Sequence, residues 1–280
     1  MKKTKTLAAL LLALALTLSL TACGGGGEEG TQEEGTSGET QTLVVGATPS
    51  PHAEMLEFVK PMLAEQGIEL EIVEFTDYVL PNTALTSGDL DANFFQHQEY
   101  LDNYNENNGT ELVSAGKIHF EPLGIYPGKT TSLDDKKEGM QIAVPNDVTN
   151  EARALQLLES LGFLTLDPDA GMEATPNDIV DNPYNVSIVE MDAAAVARVI
   201  GDVDFAVVNG NFALDAGIID TVLTTEDAQS DAAQRYPNVV AVMPEDLEDA
   251  RIQALVEALT SEDMRGFIEE SYGVVVIPVF

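Results

Sequence analysis

From residue 43 onward the chain alternates short apolar runs with stretches whose apolar residues recur at helical spacing. Residues 43–47 predict a buried strand, and residues 53–65 carry Met55, Phe58, Val59, Met62 and Leu63 on one helical face before Gly67 stops it. Further strands are predicted at 68–75, 91–95, 111–114, 141–145, 186–191, 205–208 and 239–243, with helical segments between most of them. Thr175, Pro176 and Asp178 supply a capping hydroxyl, a first-turn proline and an acid, so a helix is expected to start there. Such alternation implies an α/β fold with mostly parallel sheets. Two stretches that mix apolar, aromatic and turn residues, 116–127 and 231–237, read as crossings between lobes. They divide the body into one lobe of residues 43–117 and 236–280 and a second of residues 118–235, joined by a two-segment hinge.

The first 42 residues follow a different pattern. Lys2, Lys3 and Lys5 precede an apolar stretch from Leu7 to Leu20, too short to span a bilayer comfortably, and Leu20-Thr21-Ala22-Cys23 has the form of a lipoprotein signal. Residues 1–22 are therefore expected to be a cleaved signal peptide, leaving Cys23 as the acylated first residue, with diacylglycerol and palmitate as anchor chemistry. Residues 23–42 are, after Cys23, Gly, Glu, Thr, Gln and Ser with no core-forming residue, a tether with a span of roughly 25 Å. The expected location is the extracytoplasmic face of the cell membrane, held by lipid.

Composition changes this picture in two ways. Cys23 is the only cysteine, so no disulfide forms within the chain. The formal charge is −35, and it becomes more negative once the three signal lysines are removed, which argues against nucleic acid or anionic lipid as a partner. It says nothing about a small ligand.

Catalytic motifs do not emerge. The chain has no nucleophile elbow, phosphate loop or dinucleotide fingerprint, so no enzyme, cofactor or metal is expected. His52, His97 and His119 lack the paired spacing of a local zinc motif, although folding could gather them. Three segments instead place rings and amides where a strand gives way to a helix: residues 77–82, 91–100 and 146–153, the last with Arg153 early in a helix. In open α/β sheets those strand ends face the ligand crevice, and a helix start with an arginine suits an anion. Periodicity alone leaves Phe94 and Phe95 open between core and pocket, and Arg153 open between a surface ion pair and a ligand clamp.

The run Pro49-Ser50-Pro51-His52-Ala53-Glu54, then Phe75-Thr76-Asp77-Tyr78, Leu90-Asp91-Ala92-Asn93, Phe95-Gln96-His97, Val144-Pro145-Asn146-Asp147, Ala174-Thr175-Pro176 and the final Val276-Ile277-Pro278-Val279-Phe280 resembles the methionine-binding lipoproteins of ABC importers. The resemblance covers essentially the whole body. It implies a periplasmic-binding-protein-like fold, two α/β lobes closing over one ligand, and a monomer that delivers methionine to an ABC permease.

Carried over residue by residue, the resemblance places Tyr78, Phe95, His97 and Tyr100 on the first lobe's side of the pocket, Arg153 and Asn209 on the second, and Asn238 near the hinge. Aromatic rings would favour the polarizable thioether, and the guanidinium would hold the α-carboxylate through two parallel hydrogen bonds. Ala152, where the family usually has glycine, would narrow the backbone's approach to the ligand by a methyl group. Gly210, where threonine is common, would loosen the loop beside Asn209. Two alternatives remain: a receptor for a methionine-containing dipeptide or another small apolar amino acid, and a surface lipoprotein used for adhesion.

Overall fold

Strand β1 (Gln41–Ala47) buries Leu43, Val45 and Ala47 completely and lies in parallel between β2 (Ile68–Glu74) and β3 (Ala92–His97). The computed structural model describes residues 40–229 and 235–280. The expected signal peptide, Cys23 and nearly all of the tether lie outside the described residues. Between β1 and β2, helix α1 (Glu54–Ala64) turns Met55, Leu56, Val59 and Leu63 onto the sheet, the face that its apolar spacing predicts. Helix α2 (Leu80–Thr86) precedes β3, and α3 (Gln98–Asn108) follows it without a loop.

β4 (Val113–Phe120) runs well beyond the four residues the sequence suggests. Gly116, Lys117 and His119 break its apolar pattern, yet neighbours on both sides pair with it. The first sheet therefore keeps the chain through Phe120, and the next strand, β5 (Gly124–Pro127), belongs to a second sheet. The crossing is the short segment between them, a few residues later than position 118.

The second sheet is built from β5, β6 (Gln141–Pro145), β9 (Ser187–Met191), β10 (Phe205–Val208) and β11 (Thr224–Thr225), in the order β11-β5-β10-β6-β9. Its long helix α4 (Val148–Ser160) buries Leu155 and Leu158 beside Phe163 and Phe205. A small ladder of β7 (Thr165–Leu166) and β8 (Ile179–Asp181) stands apart. Thr175 does begin a helical turn, with Asp178 closing the cap, but the turn ends there because Ile179 is already extended to enter β8. Short helices α5 (Ala193–Val196) and α6 (Gly210–Asp215) flank β10.

After β11 the chain returns to the first sheet as β12 (Pro237–Val242), inserted antiparallel between β3 and β4. Helices α7 (Ala250–Leu259) and α8 (Glu262–Tyr272) complete that lobe, and β13 (Ile277–Pro278) edges β4. The first sheet thus has the order β13-β4-β12-β3-β1-β2. Among the described residues the two sheets hold four parallel and five antiparallel pairings, so the expectation of mostly parallel sheets is corrected. The antiparallel pairs arise where the chain crosses and returns, since a strand entering from the other lobe need not obey the crossover rule of a βαβ unit. No helix of the described residues is long and apolar enough to cross a membrane.

Candidate ligand-binding site

The strand ends of the two sheets meet at a narrow cleft. Tyr78, Phe95, His97, Tyr100, Arg153, Asn209 and Asn238, the seven residues singled out in the sequence, all line it. Gln96, Glu121, Asn150, Gly210 and Asn211 line it as well. Phe94, the neighbour left open with Phe95, points the other way and is fully buried in the first lobe's core. Alternation along β3 makes that division, because successive side chains face opposite sides of the sheet.

One end of the cleft is aromatic. The centroids of Tyr78, Phe95 and Tyr100 lie 5.8 to 5.9 Å apart, tilted or edge-on, and form three sides of an apolar recess. The Tyr100 hydroxyl donates to the Tyr78 carbonyl at 3.0 Å, and the Tyr78 hydroxyl donates to Asn211 Oδ1 at 2.6 Å. Beneath the recess Asn82, Asn93 and Gln96 form a closed, buried amide network, with Gln96 Nε2 donating to Asn82 Oδ1 at 2.7 Å and to Asn93 Oδ1 at 2.9 Å. Satisfied networks of this kind hold the wall rigid.

The other end is polar, and its hydrogen-bond directions follow from one tautomer. His97 caps α3 by accepting the Tyr100 backbone N–H on Nδ1 at 3.0 Å. Burial, reinforced by the nearby Arg153 charge, pushes the His97 pKa down to about 3. The ring is therefore neutral with its proton on Nε2, which donates to Asn150 Oδ1 at 3.2 Å. Asn209 Nδ2 donates to the same oxygen at 2.9 Å and Arg153 Nη1 at 3.3 Å. Three donors from both lobes converge on a carbonyl oxygen with two lone pairs, a place better suited to a carboxylate. Asn150 is held there by Asp147, the cap of α4, whose Oδ1 accepts from its backbone and side-chain N–H groups.

Arg153 is 3% exposed. Its Nε and Nη2 grip Glu226 at 3.1 and 2.5 Å, Nη2 also donates to the Glu121 carbonyl at 3.2 Å, and the guanidinium lies over Tyr236 at 4.3 Å. Burial works against the charge, but the Glu226 carboxylate more than offsets this and raises the arginine pKa. Glu226 holds the Nε–Nη2 edge of the guanidinium, and among the described residues one Nη1 hydrogen is left over.

Glu121 forms the wall facing these donors. His119 Nε2 lies 2.8 Å from its Oε1, His52 Nε2 lies 3.6 Å away, and burial pushes its pKa up. Both histidines are held neutral by burial, His52 at about 4 and His119 at about 3. His52 in turn joins Thr48 at 2.8 Å and Asn238 Oδ1 at 3.1 Å. Folding thus gathers two of the three histidines with one carboxylate, and the three ligand atoms lie within 4.8 Å of one another. That donor set would suit a zinc-like ion, but His52 Nε2 is already hydrogen-bonded to Asn238 Oδ1 and His119 Nε2 to Glu121 Oε1. Two cleft amides keep an unpaired buried atom, the acceptor Asn209 Oδ1 and the donor Asn211 Nδ2. Each costs about 1–3 kcal/mol unless a ligand meets it.

The two flagged substitutions fall differently. The Ala152 methyl packs in the second lobe's core among residues such as Leu155 and does not line the cleft, so the expected narrowing is corrected. Gly210 does line it. A Cβ there would sit 2.9 Å from Glu121 Oε2 and 3.1 Å from Glu121 Cβ, so glycine makes room for the carboxylate.

Two α/β lobes, two crossings and an enclosed cleft that offers an aromatic recess beside converging polar groups define a solute-binding protein of the two-lobed, periplasmic type. A model of the NlpA lipoprotein family matches residues 43–280, and the chain belongs to that family. It is 36% identical over 279 residues to the methionine-binding lipoprotein MetQ of Bacillus subtilis, covering 98% of this chain and 97% of that one. The crystal structure of a putative lipoprotein from Ruminococcus gnavus is 51% identical, with TM-score 0.84 over 86% of this chain and 100% of that one. A nutrient binding protein from Burkholderia cenocepacia, solved bound to methionine, is 39% identical with TM-score 0.81, covering 85% and 100%.

Proposed function

We propose that this protein is the receptor of an ABC importer and captures methionine reversibly between its lobes, without catalysis. The observation that carries the reading is the convergence of His97 Nε2, Asn209 Nδ2 and Arg153 Nη1 on one oxygen position, beside a recess of three rings. The ligand's carboxylate sits beside the Asn150 oxygen, where the free Nη1 hydrogen of Arg153 and the second Nδ2 hydrogen of Asn209 reach it. Its ammonium meets the facing acceptors Glu121, Asn209 Oδ1 and Asn238, and its thioether enters the recess, where sulfur–ring contacts favour it. Each charged end is then paired, as burial of a zwitterion requires.

In this reading residues up to Phe120 and from Tyr236 onward act as one body, with those between as the other. Cys23 carries the lipid that holds the monomer at the outer face of the membrane, and the closed form presents the ligand to the permease.

Calorimetry of the full chain with L-methionine, D-methionine, glycyl-methionine and leucine tests it. Methionine is expected to bind at least about tenfold more tightly than leucine or the dipeptide. Failure of every amino acid to bind would leave the adhesion alternative.

A further inference from the structure

Glu226 does not line the cleft, yet it makes the most extensive contact to Arg153, the buried cation that does. A guanidinium has five N–H hydrogens. Glu226 takes one from Nε and one from Nη2, the Glu121 carbonyl takes the second from Nη2, and Asn150 takes one from Nη1. The fifth, on Nη1, is therefore aimed by the first four.

The same carboxylate ties the guanidinium to both crossings. Glu226 Oε2 accepts the Leu123 backbone N–H at 2.9 Å, and the Glu226 N–H donates to the Leu123 carbonyl at 2.9 Å. Leu123 and Glu121 lie in the first crossing and Glu226 in the second, whose far end supplies the Tyr236 ring under the guanidinium. A flexible side chain with about 2 kcal/mol of rotamer entropy is thereby fixed from its rear edge, and its charge is balanced at 2.5 Å, on the edge away from Asn150.

We propose that Glu226 is the positioning residue for carboxylate recognition: it holds Arg153 by its Nε–Nη2 edge so that Nη1 meets the ligand's carboxylate. This rests on the amino-acid reading above. It assigns Glu226 a role specific to one functional group of the ligand, which separates it from a residue that merely stabilises the fold.

The test pairs the Glu226→Gln variant with two ligands, L-methionine and L-methioninol, which has a hydroxymethyl group in place of the carboxylate. Affinities are measured by calorimetry on the full chain. The variant is expected to lose about tenfold or more for methionine, the loss of one oriented charge-assisted hydrogen bond, and to stay within about twofold for methioninol. Equal weakening of both ligands, unchanged affinity for both, or tighter methionine binding overturns the proposal. Should the glutamine variant fail to fold, Glu226→Asp keeps the charge one methylene short and is read by the same ratio. If the wild type binds neither ligand, the amino-acid reading itself fails. If the wild type binds methionine and the variant leaves the ratio unmoved, only the positioning role does.

Discussion

Replacing Arg153 by alanine separates what the guanidinium does for the fold from what it does for a ligand. On the folding side the substitution removes four hydrogen bonds and leaves the Glu226 side chain, 11% exposed, with Leu123 N–H as its remaining partner among the described residues. An uncompensated buried charge costs about 3–5 kcal/mol, and the carboxylate's place at the edge of the protein lets hydration hold the cost to the lower part of that range. On the binding side only one Nη1 hydrogen is free for a carboxylate. The expected loss is that of one charge-assisted hydrogen bond, about 1.5–3 kcal/mol, or about 10- to 150-fold in affinity. Urea denaturation measures the first quantity and calorimetry with L-methionine the second. Arg153→Lys restores charge but cannot serve Glu226, the Glu121 carbonyl and Asn150 in the same geometry, so it should recover little of either. A folded Arg153→Ala protein that binds methionine within about twofold of the wild type refutes the placement of the carboxylate. A loss well beyond about 3 kcal/mol refutes the single-contact geometry in favour of a forked grip.

The neutral His97 makes stability depend on pH with a definite sign. Its folded pKa of about 3 lies below the ordinary value near 6.5, so as pH falls below that value the unfolded chain takes up a proton that the folded one refuses. Relative to a His97→Gln variant, the wild type should lose about 1.4 kcal/mol of stability per pH unit between pH 6 and 4; parallel stability curves would exclude a buried neutral ring. The acids whose pKa burial raises, Glu121 and Asp147, are common to both proteins and cancel in the difference. Gly210→Ala would press a methyl group on Glu121 and dislodge it from His119. A stability loss of about 1–3 kcal/mol by denaturation and weaker methionine binding by calorimetry are expected, and full affinity would show that the Glu121 position is immaterial.

Much of the fold was legible because each lobe is assembled from local units. β1, β6 and β10 are apolar runs, and α1 shows its buried face in its spacing. Strand direction was not legible, since β12 looks the same locally whether it enters parallel or antiparallel. The length of β4 was hidden because its partners β12 and β13 lie more than a hundred residues away in sequence. The ring-and-amide segments at strand ends pointed to the cleft, and the resemblance supplied individual positions. Glu226 could not be found this way: it lies 73 residues from Arg153, in a chain with 48 acids and no local signal to mark one of them. Asn150 stood inside a flagged segment, but its role depends on His97 and Asn209 arriving from elsewhere.

Tyr78, Phe95 and Tyr100 all hang from the body built on the first sheet, while Arg153 and Asn209 come from the other. If the lobes close as proposed above, the three rings stand together before the halves meet, whereas the charge-reading groups assemble only as they do. Sorting by side chain would then come first and sorting by backbone chemistry second, like a two-step lock. A visitor whose side chain does not fit can leave before any interlobe bond has formed.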